Sequence, residues 1–174
     1  MTLAGEDKVL MLFRHAKAEH VPGKSDVERE LTARGRRDAE AAGAWLHEQG
    51  LGAELVLCSF AVRTRQTWQH AEAGGACGEE VEYLEQLYAG GVDGVLQSIR
   101  EDSNDAQVLL VVGHNPSMAA LASMLSEGDG SRDAHEVLAA GFPTSSVAVL
   151  RHSGKWADLA PGTAALERCH VSRG

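Results

Sequence analysis

Cysteine is scarce in this 174-residue chain: Cys58, Cys77 and Cys169 are odd in number and no two share a CxxC spacing. That excludes a disulfide framework and a zinc site built on paired thiolates, and it makes a reducing, cytoplasmic compartment the expected one. Long apolar runs are also missing. None approaches the ~20 residues of a membrane span, and the opening MTLAGEDKVLMLF lacks a basic segment ahead of a long apolar one, so neither secretion nor membrane insertion is expected. Positive charge is in deficit, with 16 Lys and Arg against 25 Asp and Glu and a formal net charge of -9. Such a field repels polyanions, which argues against nucleic acid or an anionic membrane as partner, yet a local basic pocket still admits a small anion. His20, His47, His70, His135, His152 and His170 show no ligand spacing such as HxxxH, so no metal is expected, and no cofactor is implied. There is no repeat, linker or low-complexity tract, and the length suits one domain spanning 1–174.

What is present is an alternation. Four short Val- and Leu-rich runs, Val9 to Phe13, Leu55 to Cys58, Val108 to Val112 and Val147 to Leu150, read as strands buried on both faces. Helical patterns lie between them. Thr32 to Gln49 opens on a plausible N-cap, Thr32, carries Ala39, Ala42 and Leu46 at helical spacing, and stops at Gly50. Ala61 to Ala71, Val92 to Arg100 and Ser117 to Leu125 supply three more. The pattern predicts an α/β fold, a three-layer αβα sandwich on a mostly parallel sheet. Val147 to Arg151, the turn at His152 to Lys155, and Trp156 to Leu159 read as a hairpin, making one edge antiparallel. Glu72 to Glu80 and Ser126 to Asp133, rich in glycine and acid, read as mobile surface loops.

In open α/β sheets ligands collect beyond the carboxyl ends of the strands. The first strand exits into Arg14, His15, Ala16 and Lys17; the second feeds a helix carrying Arg63 and Arg65; the third exits into Gly113, His114, Asn115 and Pro116. Two histidines and several arginines thus meet on one rim. Guanidinium forks match phosphate oxygens, and a helix starting near Asn115 adds N–H donors. A neutral imidazole can attack phosphorus and form a covalent intermediate, and phosphoryl transfer asks mainly for alignment and positive charge. His15 in line, with Arg14, Arg63 and His114 around it, meets that need without a metal. Lys17 either leans over the pocket or caps the strand; Asn115 either binds phosphate or stabilises its own turn. Arg65 reads as surface, and Trp45 and Trp68 as packing.

LFRHAKAE, SFAVRTRQT (Ser59 to Thr67) and VVGHNP (Val111 to Pro116) together resemble the histidine phosphatase superfamily, whose fold is called phosphoglycerate mutase-like, and within it the short SixA-type phosphohistidine phosphatases. Asp26, Arg29, Leu31 and Gly35 extend the likeness as D-x-x-R-x-L-x-x-x-G. Ala16 stands where the family motif has glycine, and Glu30 where many relatives have proline. The resemblance implies His15 as phosphorylated nucleophile, Arg14 and Arg63 as phosphate ligands, and His114 as the second histidine on the transferred group. Glu85 occupies about the place of the family's acid, either as proton donor to the leaving group or as part of a solvated acidic segment. The implied substrate is a phosphorylated molecule, foremost a phosphohistidine-bearing protein. A phosphomonoesterase on a small metabolite or nucleotide and a non-catalytic phosphate-binding module are the alternatives, and a mutase is disfavoured because no helical insert is present.

Overall fold

The computed structural model describes residues 7–174; the six residues before them, part of the stretch read for a leader, lie outside the described residues. The strands are β1 (Asp7–Arg14), β2 (Ala53–Ser59), β3 (Gly78–Leu84), β4 (Val108–Gly113), β5 (Ser146–Ser153) and β6 (Ala164–Val171), forming a sheet in the order β3-β2-β4-β1-β5-β6. β3, β2, β4 and β1 pair in parallel, while β5 and β6 add an antiparallel edge. The helices are α1 (Ala33–Glu48), α2 (Val62–Gly74), α3 (Gln86–Ala89), α4 (Gly91–Asp102), α5 (Ser117–Ser126) and α6 (Arg132–Ala139). The expected α/β architecture is the observed one. Among the described residues no helix is long and apolar enough to cross a membrane.

Strand periodicity divides the core into two layers. Leu10 and Leu12 of β1 point to one face, with Val95 and Ile99 of α4 and Leu121 and Leu125 of α5. Val9, Met11 and Phe13 point to the other, with Leu46 of α1 and Trp68 of α2. Because successive side chains alternate across a strand, a continuous apolar run is the form a strand takes when helices cover both faces.

The helix starts follow capping chemistry. Thr32 precedes α1 as expected and its Oγ1 accepts the Gly35 N–H at 3.0 Å. α1 and α2 then approach so closely that a Cβ on Gly43 would stand 1.9 Å from the Ala71 carbonyl oxygen. Gly43→Ala gains helix propensity but must push α2 aside. We expect a loss of about 2 kcal/mol, seen as a melting temperature lowered by roughly 4–8 °C; an unchanged or raised melting temperature would refute this packing.

Three expectations need correction. Glu72 to Glu80 is not a loop throughout, since α2 runs to Gly74 and β3 begins at Gly78. β3 is an edge strand with Glu79 and Glu80 exposed, and edges tolerate charge that buried strands do not. Ser126 to Asp133 is tied down: Asp129 and Ser131 hydrogen-bond the backbone of Leu166, and Ser131 Oγ caps α6. Trp156 to Leu159 is not a strand. Trp156 opens a 3-10 turn, buries its ring and donates from Nε1 to the Ala106 carbonyl at 2.7 Å, and β6 is the strand that pairs with β5.

Candidate active site

β1, β2 and β4 end side by side, and the side chains that leave them line a cavity of about 400 Å³. Arg14 sits opposite Gly113 in the ladder, and the His15 N–H continues the pairing to the Gly113 carbonyl at 3.0 Å. Arg14, His15, Lys17, Arg63, His114 and Asn115 all line this cavity. The His15 and His114 rings lie 5.3 Å apart, centroid to centroid. Lys17 is exposed at the mouth.

His15 is buried, and its Nδ1 lies 2.7 Å from the Ala16 carbonyl oxygen. A carbonyl only accepts, so the ring proton resides on Nδ1 and Nε2 carries the lone pair. Burial first, then the charges of Arg63 and Arg14, lower the His15 pKa to about 4 against the carbonyl's opposing pull, so the ring is neutral at pH 7. His114 is driven to about 3 by burial and by its neighbours His15 and Arg63. Its Nε2 lies 2.8 Å from Ser59 Oγ. That hydroxyl can donate or accept, so the contact fixes the ring's orientation and engages Nε2 without assigning the ring proton.

Three buried polar atoms of cavity residues have no protein partner: Arg14 Nε, Arg63 Nε and His114 Nδ1. Unpaired buried polar atoms are costly, and two guanidinium groups lining one cavity give it a fixed positive charge that suits a small anion. Three of the four terminal guanidinium nitrogens are anchored. Arg14 Nη1 donates to the Phe142 carbonyl at 2.9 Å, Arg63 Nη1 to the Asp26 carbonyl at 2.7 Å, and Arg63 Nη2 to Asp26 Oδ2 at 3.0 Å.

Asp26, Ser59 and Tyr88 are site residues whose contacts sequence reasoning did not reveal, and Arg29 entered only as part of a pattern. Tyr88 donates its hydroxyl to Asp26 Oδ2 at 2.7 Å and sets its ring edge-on to His114 at 5.6 Å. That hydrogen bond, with Arg29 and Arg63, holds the Asp26 carboxyl well below the usual carboxylate range, leaving it no proton to give. Arg29 lines the cavity and pairs with Asp26 Oδ1 at 3.0 Å.

Two expectations shift. Glu85 does not line the cavity; it is exposed at the start of α3, and the turn of that helix carries Tyr88, not Glu85, to the site. Asn115 lines it, but its amide is engaged with backbone: Nδ2 donates to the Phe142 carbonyl at 2.8 Å and Oδ1 accepts from Ala119 N–H at 3.3 Å. Among the described residues no cluster of three His, Cys, Asp or Glu side chains is placed to hold a metal.

Known proteins share this arrangement of chain. Residues 10–94 match the histidine phosphatase superfamily, branch 1. An uncharacterised Mycobacterium tuberculosis protein, Rv1276c, is 41% identical over 162 residues, covering 92% of this chain and 100% of that one. The structure of a candidate phosphohistidine phosphatase SixA from Nakamurella multipartitia is 37% identical, with a TM-score of 0.83 over 97% of this chain and 98% of that one. A second SixA candidate, from Agrobacterium tumefaciens, is 29% identical with a TM-score of 0.75, covering 94% and 97%. With so much of the chain alike and the matched segment running from β1 past α2, the chain belongs to the histidine phosphatase superfamily, in its SixA-type group, and is a phosphatase.

Proposed function

We propose that the phosphatase works through a covalent phosphohistidine on His15 and that its substrate is a phosphohistidine borne by a protein. One observation carries the first part: a buried, neutral imidazole with its proton held on Nδ1 presents Nε2 into a cavity lined by Arg14, Arg29 and Arg63. Nε2 attacks phosphorus as the bond to the leaving atom breaks, and the departing group takes a proton from solvent. Water then attacks the phosphoryl group, and His15 leaves as a neutral ring. Arg14 and Arg63 line the cavity beside the transferring oxygens, and their guanidinium charge supplies what a metal does in other phosphoryl-transfer sites. His114 lines the same cavity, its ring 5.3 Å from that of His15, and contacts the transferred group.

The substrate assignment draws support from the SixA likeness and from the placement of Glu85. Glu85 is assigned no step. An imidazole leaving group needs less protonic help than an alkoxide, so a site without a carboxylic acid suits phosphohistidine better than a phosphomonoester. A side-by-side turnover panel tests this. A phosphohistidine-bearing protein should exceed 3-phosphoglycerate and nucleotide monophosphates in kcat/KM by roughly 10²-fold or more. Equal or better turnover of a monophosphate would assign the enzyme to small phosphoesters.

A further inference from the structure

α2 carries the motif RTRQT, and Arg63 accounts for only its first residue. We infer that Thr67, one helical turn after Arg63, is the positioning residue for the nucleophile, locking the turn at Ala16 that holds the His15 ring. The inference rests on His15 being the nucleophile.

Thr67 is fully buried. Its hydroxyl donates to the Arg63 carbonyl at 2.7 Å and accepts the Ala16 N–H at 3.0 Å. The bond back along the helix commits the single hydroxyl proton, so toward Ala16 the oxygen can only accept. On the other side of the same peptide unit the His15 carbonyl accepts the Ser145 N–H at 3.1 Å. The His15–Ala16 peptide is therefore held at both its polar ends. A plane so held cannot swing, and the next carbonyl, that of Ala16, stays aimed at His15 Nδ1. That carbonyl is what keeps the proton off Nε2.

The same hydroxyl joins the nucleophile's turn to the helix that presents Arg63, so the two move as one body. Gln66 does the same at the far end of the loop: its Oε1 accepts the Leu31 N–H at 2.8 Å and its Nε2 donates to Glu30 at 3.2 Å. Thus Arg63, Gln66 and Thr67, at i, i+3 and i+4 on one helix face, bring together a phosphate ligand and both ends of the β1–α1 loop. Outer partners of this kind orient a reactive ring without touching substrate.

The test compares wild type, Thr67→Val and Thr67→Ser as full chains. Transfer of label from radiolabelled phosphoramidate to His15 is followed by rapid quench without acid, inhibition by inorganic phosphate is measured, and ring-nitrogen NMR reports the His15 tautomer. Thr67→Val is expected to slow labelling on the order of 10²-fold, to leave phosphate inhibition within about threefold, and to spread the ring proton over both nitrogens. Thr67→Ser keeps the hydroxyl and is expected to restore rate and tautomer. Should Thr67→Val not fold, Thr67→Ala takes its place with the same expected values. Wild-type labelling rate and an unshifted ring in Thr67→Val, or a Thr67→Ser protein as slow as Thr67→Val, overturns the positioning role. If wild type takes no label at all, the nucleophile assignment falls instead.

Discussion

His15→Ala lowers turnover of an aryl phosphate by about four orders of magnitude or more, while inorganic phosphate still binds within roughly tenfold of wild type. The two halves of this expectation come from different groups. Bond formation to phosphorus needs the Nε2 lone pair, and the other histidine in the cavity, His114, holds its Nε2 against Ser59 and so offers no substitute. Affinity for the anion comes from the arginines, whose anchors do not involve the imidazole: Arg14 is held by Phe142 and Arg63 by Asp26. The fold should survive as well, because the removed ring makes one hydrogen bond, to the neighbouring Ala16 carbonyl. Steady-state kinetics and phosphate inhibition on one preparation decide it. A variant keeping more than about a tenth of wild-type turnover would exclude His15 as nucleophile. A variant as inactive as expected but unable to bind phosphate would mean that the imidazole, and not the arginines, holds the anion.

The two histidines resist protonation far below their ordinary range. In ligand-free protein, His15 should titrate near 4 and His114 near 3, against an ordinary value of 6.5, so ring NMR at pH 5 should show both neutral. Burial is the leading cause for each, and Arg63 adds to it for both, so Arg63→Met should raise both midpoints. The same groups set the acid stability of the fold. Between pH 6.5 and about 4 the unfolded chain protonates His15 and the folded chain does not, so proton uptake favours unfolding as the pH falls. Stability is therefore complete above pH 6.5 and is lost on acidification, with His15 accounting for about 3 kcal/mol across that interval. Urea titrations at several pH values would show this slope, reduced in His15→Ala. A midpoint near 6.5 for either ring, or a slope unchanged by His15→Ala, would refute it.

Much of this site is legible along the chain because one topological rule applies: in a parallel sheet the reactive residues leave the carboxyl ends of strands. Arg14, His15 and His114 each follow an apolar run directly, and Arg63 lies in the first turn of the helix after another. The partners are not legible in that way. Asp26 meets Arg63 across 37 positions and Tyr88 across 62, and Ser59 meets His114 across 55. No local period links such pairs. Glu85 shows the reverse failure. An acid near the expected place in sequence is turned to solvent, because three residues along a short helix decide which side chain reaches Asp26 and His114.

The strands missed by periodicity are the two edges. β3 carries Glu79, Glu80 and Glu82, and β6 carries Glu167 and Arg168, charges that an edge bears at little cost because water reaches it. The amino-acid sequence by itself determined the α/β alternation, the central strands and the residue types delivered to their ends, since burial on two faces writes itself as unbroken apolar runs. Only the tertiary structure decided that His15 is neutral with a bare Nε2, that Asp26 is ionised and holds two arginines, and that Glu85 lies outside. Protonation and pairing depend on burial and on distances of a few ångströms between residues far apart in the chain, and neither exists until the layers pack.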